Sequence, residues 1–134
     1  MKLKELSRDV ICGEMMDISV YTVEAEAFAS HPFGKKAAAL FLRLAEEKRG
    51  RLKELDKMFR DGIGFRQRNI SGAKSLEAAL RVHVTRAETA LRLYADLLKI
   101  INKPEYKETF TAILAAERAG LNALRELQAE LKAG

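Results

Sequence analysis

Four long stretches of good helix formers, each with apolar residues at three-and-four spacing, leave few architectures open to this chain. Pro32 and Pro104, the only prolines, lie in two of the breaks between them, and a run carrying Gly62, Gly64 and Gly72 makes the third. Ala, Leu, Glu, Lys and Arg dominate between the breaks, which predicts helices over 3–29, 36–59, 73–102 and 105–132. No stretch alternates with period two over a strand's length, so no strand is expected. The stripes run through Leu3, Leu6, Val10, Ile11, Ile18 and Tyr21, then Phe41, Leu44, Leu52 and Leu55, then Leu76, Leu80, Leu91 and Tyr94, and finally Phe110, Ile113, Leu121 and Leu124. One apolar face per helix predicts an all-α bundle around one core. A chain of 134 residues is a single domain, 1–134, large enough to close that core.

Connection lengths narrow the topology. Short links join the first helix to the second and the third to the fourth, so each pair is expected to form an antiparallel hairpin. The link between the second and third helices is longer. Residues 60–72 reach ~40 Å when extended, and the second helix is only ~36 Å long. Such a link can cross the whole bundle, as the one long crossover of a ferritin-like four-helix bundle does. The halves also match each other. Ile11, Ile18 and Tyr21 correspond to Val84, Leu91 and Tyr94 at an offset of 73, and Phe41, Leu44, Leu52 and Leu55 correspond to Phe110, Ile113, Leu121 and Leu124 at an offset of 69. A duplicated helical hairpin accounts for both offsets.

Composition sets the setting. With 48% hydrophobic and 32% charged residues the chain is neither a disordered tail nor a membrane protein. No apolar run approaches the roughly 18 residues of a span, and Met1-Lys2-Leu3-Lys4-Glu5 does not read as a signal peptide. The single Cys12 excludes an internal disulfide and a cysteine zinc cage. A cytoplasmic location is expected. The net charge of +5 comes without a nucleic-acid-binding motif, and most Lys and Arg have acidic neighbours at helical spacing, as Arg51 has Glu46 and Glu47. Nucleic acid and membrane are not expected as partners.

The stripes are interrupted by charge at corresponding levels. Glu14 falls among Val10, Ile11 and Ile18, with Asp17 nearby. Lys48 lies on the line of Phe41, Leu44, Leu52 and Leu55, flanked by Arg51, while Glu117 lies between Ile113 and Leu121 with Gly120 beside it. The third helix has Ala87 at this level and His83 one turn earlier. Buried charge is costly unless paired, so this clustering marks where any chemistry should be.

Three segments resemble the rubrerythrin-type branch of the ferritin-like family. They are Gly13-Glu14-Met15-Met16-Asp17-Ile18-Ser19-Val20-Tyr21, Phe41-Leu42-Arg43-Leu44-Ala45-Glu46-Glu47-Lys48-Arg49-Gly50-Arg51 and Ile113-Leu114-Ala115-Ala116-Glu117-Arg118-Ala119-Gly120. Together they recur in order and at the right separations, so the resemblance spans nearly the whole chain. It implies a di-iron centre with a Glu on each of the first and third helices and a Glu-x-x-His on each of the second and fourth. Carried over residue by residue, Glu14 and Glu117 match ligand positions. Lys48, Arg51, Ala87 and Gly120 stand where the other four ligands would be.

The expectation is therefore a degenerate centre rebuilt as a buried Glu14/Lys48/Arg51/Glu117 cluster, two carboxylates against two cations, with no metal or other cofactor. Its role would be structural, interactive or the holding of a small ligand. Tyr21 and Tyr94 are expected to hydrogen-bond to its carboxylates, and His83 to be a core histidine whose best partner is Glu14 or Glu117. Loss of an imidazole at Gly120 would leave space for Met15, Met16 or a small ligand. The alternative is an iron-binding oxidoreductase or ferroxidase with an atypical ligand set from Glu14, Glu47 and Glu117, supported by Asp17 and His83. That alternative requires Glu47 rather than Lys48 to face inward. The resemblance also implies a homodimer, since such bundles often pair.

Overall fold

The four apolar-striped segments fold as helices α1 (Leu3–Ala27), α2 (Gly34–Phe59), α3 (Leu76–Ile100) and α4 (Pro104–Ala133). The computed structural model describes residues 3–59 and 67–134, and among these no strand forms. No helix among the described residues is long and apolar enough to cross a membrane.

Local chemistry sets the boundaries. α1 stops two residues short of the expected end because Ala29 and His31 bond back over three residues, to Glu26 and Phe28, and turn the chain. Gly34 closes that turn: a Cβ there would press on the carbonyl oxygens of Phe28 and Ala29, the latter at 2.7 Å. α3 begins at Leu76, three residues later than expected. Its cap is Ser75, whose hydroxyl accepts the Ala78 amide at 3.1 Å. Residues before it are held elsewhere, since the Ala73 amide donates to Glu24 of α1 at 2.9 Å. α4 opens with Pro104 in its first turn, where a missing N–H costs nothing.

α1 packs on α2 and α3, and α4 packs on α3 and α2, while α1–α4 and α2–α3 are the diagonal pairs, whose backbones do not approach among the described residues. Only side chains such as Phe41 and His83 meet across the α2–α3 diagonal. Cross-helix contacts fix directions. Tyr21 lies against Phe41 while Glu14 meets Lys48 and Arg51, so α1 and α2 are antiparallel. Glu24 meets His83 and Glu14 meets Tyr94, so α1 and α3 are antiparallel. Lys36 meets Glu130 and Phe59 meets Phe110, so α2 and α4 are antiparallel too. The expected crossover falls partly on residues 60–66, Gly62 and Gly64 included, which lie outside the described residues.

One core runs through the bundle, with Tyr94, Phe41, Phe110, Ile18 and Leu55 fully enclosed. Leu3, assigned to the first stripe, is instead 42% exposed at the start of α1, beyond the reach of its neighbours. The internal repeat is visible as burial. Phe41, Leu44, Lys48, Arg51, Leu52 and Leu55 are buried in α2, as are Phe110, Ile113, Glu117, Gly120, Leu121 and Leu124 at the matching sites of α4.

The two mid-helix glycines differ. A Cβ on the exposed Gly50 would meet nothing within 4 Å, whereas one on Gly120 would meet Leu44 Cδ2 at 3.2 Å. Gly50→Ala is therefore expected to raise the unfolding free energy by about 0.5–1 kcal/mol. Gly120→Ala should gain less, because its methyl must move Leu44. Urea unfolding of the two variants checks both.

Candidate functional site

Helical spacing carries Glu14 and Asp17 of α1, Lys48 and Arg51 of α2, and Glu117 of α4 into the interior at one level. Exposure is 2% for Glu14, 3% for Lys48, 4% for Glu117, 5% for Asp17 and 8% for Arg51. Lys48 Nζ is the hub. It donates to Glu117 Oε1 at 2.9 Å and Glu14 Oε1 at 3.3 Å, and lies 3.2 Å from Asp17 Oδ2. Arg51 Nη1 donates to the same two glutamates, at 2.7 Å to Glu117 Oε1 and 3.2 Å to Glu14 Oε1. The Tyr94 hydroxyl donates to Glu14 Oε1 at 2.9 Å, and the Arg51 guanidinium lies 5.7 Å from the centre of the Tyr94 ring.

α3 contributes a cation that sequence reasoning missed. Arg86 Nε donates to Asp17 Oδ1 at 2.6 Å and its Nη2 to the Gly13 carbonyl at 3.2 Å. The cluster is thus larger than the expected two against two. Glu14, Asp17 and Glu117 face Lys48, Arg51 and Arg86, and the charges balance. Every helix supplies at least one member.

The electrostatics follow from that balance. Burial alone would raise the Asp17 carboxyl, but Lys48 and Arg86 outweigh it and hold it below its ordinary value of 3.8. Burial alone would lower the Lys48 ammonium, but Glu14, Asp17 and Glu117 outweigh it and hold it far above 10.5. Arg51 is likewise held up against burial, chiefly by Glu14. Burial keeps Tyr94 protonated, and Glu14 reinforces it, so the phenol remains a donor. A lysine locked as ammonium is no nucleophile or base.

Several expectations need correction. His83 does not reach Glu14 or Glu117; its Nε2 sits 2.5 Å from Glu24 Oε1, a residue the sequence reading passed over. Both are almost fully enclosed, and the other Glu24 oxygen accepts the Ala73 amide. Tyr21 stacks on His83 at 4.3 Å between ring centres instead of bonding a cluster carboxylate. The repeat explains the difference: Tyr94 in the second half reaches Glu14 in the first, but the counterpart of Glu14 at the offset of 73 is Ala87, a buried methyl that can accept no bond. Glu47 is exposed on α2, so the alternative ligand set of Glu14, Glu47 and Glu117 is not assembled. Met15 is buried and Met16 half-buried, yet the space at Gly120 is taken by Leu44. The cavity left beside Gly120 is about 10 Å³, room for one water and too little for an organic ligand.

The residues present do not fit a di-iron centre. The Lys48 ammonium lies among all three carboxylates, at 2.9 Å from one of them. A cation brought there would meet its charge directly, at a cost of about 4 kcal/mol per unit charge at 4 Å and an effective dielectric of 20. Among the described residues no group of three or more His, Cys, Asp and Glu is arranged to hold a metal ion. Comparison with protein-family models, curated proteins and solved structures finds no match to this chain.

Removing one member of a buried pair leaves the others uncompensated, which costs roughly 3–5 kcal/mol. Lys48→Met is expected to destabilise by that amount in urea unfolding. Replacing Glu14, Lys48, Arg51 and Glu117 together by packed apolar residues should recover most of the loss, since Asp17 keeps Arg86 and such swaps are often neutral or better. A loss below ~0.5 kcal/mol for Lys48→Met, typical of surface sites, would count against the pairing.

The pKa directions fix a pH window. The stability from Asp17 is complete above its unfolded value of 3.8 and lost as pH falls below it. That from Lys48 is complete below 10.5 and lost as pH rises beyond it. Unfolding free energy measured against pH should show both edges, and Asp17→Asn should flatten the acid one.

Proposed function

We propose that this protein is a ferritin-like bundle of the rubrerythrin type whose di-iron centre has been replaced by an ion-pair cluster, and that its role is structural or interactive rather than catalytic. The observation that carries the reading is the place of the Lys48 ammonium, shared among Glu14, Asp17 and Glu117 where two metal ions would otherwise neutralise the carboxylates. The ferritin-like topology is supported by the diagonal placement of α2 and α3. It is supported further by the hydrogen bonds that lead residues 67–73 along α1 toward the start of α3: Gln67 and Arg68 bond to Ser19, and Ala73 bonds to Glu24.

A site of this kind has structural consequences of its own. Such a site needs no metal-loading step and adds charge pairing to the apolar core in fixing the register of the four helices. Neither of the side chains that would donate imidazole to iron is present, since Arg51 and Gly120 occupy those positions.

Metal analysis of protein purified from iron-supplemented cells tests the reading. Less than stoichiometric iron, and a melting temperature indifferent to chelator, are expected. The variant carrying Lys48→Glu, Arg51→His, Ala87→Glu and Gly120→His together should gain iron. Two irons per wild-type chain, or clear destabilisation by chelator, would promote the oxidoreductase reading instead.

A further inference from the structure

A pocket of about 180 Å³ lies between α1 and α3, far larger than the cavity beside Gly120. A space of about 150 Å³ is enough for benzene, so this one admits a ring of about six carbons with one or two further atoms. Asp9 and Thr89 are exposed at its rim. Val10, Ala90 and Leu93 give it apolar walls, and Glu14, Asp17 and Tyr94 of the buried cluster line it as well. Gly13 provides the room. It lines the pocket, and a Cβ at that position would meet nothing within 4 Å. Glycine inside a helix is unfavourable relative to alanine, and no close packing requires it here.

Hydrogen bonding at Glu14 is uneven. Its Oε1 accepts three donors, Tyr94 at 2.9 Å, Arg51 at 3.2 Å and Lys48 at 3.3 Å. Its Oε2 has only Lys48 and Arg51, each at 3.5 Å, beyond the range of ordinary N–H···O bonds. An oxygen of a carboxylate only 2% exposed gains from a closer donor. Arg86, the cation lining the pocket, does not supply one, because its Nε and Nη2 go to Asp17 and to the Gly13 carbonyl. The charge of a fitting guest follows. A cation at Glu14 Oε2 would face Lys48 and Arg51, both 3.5 Å from that oxygen. An anion would meet Asp9, Glu14 and Asp17, with Arg86 alone to offset them. A neutral donor avoids both penalties.

We propose that this pocket binds a small neutral alcohol, whose hydroxyl donates to Glu14 Oε2 and whose compact apolar body packs against Val10, Ala90 and Leu93. Pocket and guest are matched in three respects. The size suits one small ring, the walls are apolar, and the enclosed acceptor calls for an uncharged donor. The inference rests on the geometry of the cluster and not on its origin, so it stands whether or not the bundle is related to a di-iron protein.

Titration of the full chain with cyclohexanol, followed by amide NMR, tests it. Saturable shifts should concentrate at Gly13, Ala90 and Leu93. Cyclohexanone has the same ring without a donor and should bind about tenfold more weakly, since it leaves Glu14 without the bond. Cyclohexylammonium and cyclohexanecarboxylate should also bind more weakly than the alcohol. Gly13→Met fills the space and suits a helix better. It should fold as stably as the wild type and lose cyclohexanol binding by about tenfold or more. Ala90→Met fills the pocket from the facing wall and serves if Gly13→Met does not fold. Absence of shifts at these residues, with water alone in the pocket, overturns the proposal. So does cyclohexanone or cyclohexylammonium binding as tightly as the alcohol, or undiminished binding to a folded pocket-filling variant.

Discussion

The bundle is organised around an ammonium group taken out of water. Moving Lys48 into the core costs several kcal/mol for the ion alone, and that cost is offset only if carboxylates meet it there with good geometry. Glu14 and Asp17 from α1 and Glu117 from α4 do so. Their own charge then needs more than one cation, which Arg51 and Arg86 supply. Each requirement fixes the rotation of another helix. Turning α2 by one residue, about 100°, would put Lys48 in solvent and leave the carboxylates facing Glu47. The cluster therefore sets helix register as well as stability, because misaligned packings bury charge without a partner.

A second polar layer lies above the first and has a different purpose. Ser19 and Glu24 of α1 accept amides from Arg68 and Ala73, and Glu24 also meets His83 of α3. These bonds tie the chain that leads into α3 to the flank of α1. A Cβ at Gly72 would lie 2.9 Å from Glu24 Cγ, so glycine is what lets this strap lie close. Tyr21 joins the two layers, since it stacks on His83 in one and lines the small cavity beside Lys48, Arg51 and Glu117 in the other.

The architecture was legible in the sequence because it depends on periodicity. Three-and-four spacing placed all four helices, and the stripe through Phe41, Leu44, Leu52 and Leu55 put Lys48 inside and Glu47 outside, as the structure has them. What stayed hidden depends on partners across helices. Arg86 adjoins the stripe residue Ala87 and reads as a surface cation; only the position of Asp17 on α1 draws it inward. Glu24 was overlooked although it continues the buried line of Glu14, Asp17 and Tyr21 at intervals of 3, 4 and 3 residues, a signal that spacing alone could have given. The pairing of His83 with Glu24 rather than with the cluster turned on about one helical turn. Single-sequence periodicity locates a residue's face, not which residue it meets.

The most direct test of the central claim is to observe the Lys48 ammonium itself by nitrogen-detected or nitrogen-filtered NMR of its side chain. Enclosed and bonded to carboxylates, its protons should exchange slowly with water at neutral pH, giving a resolved signal that Lys48→Met removes and that persists above pH 10.5, the ordinary value for lysine. An ammonium whose protons exchange as fast as those of the exposed lysines, or one that titrates at the ordinary value, would contradict a buried cluster with Lys48 at its centre.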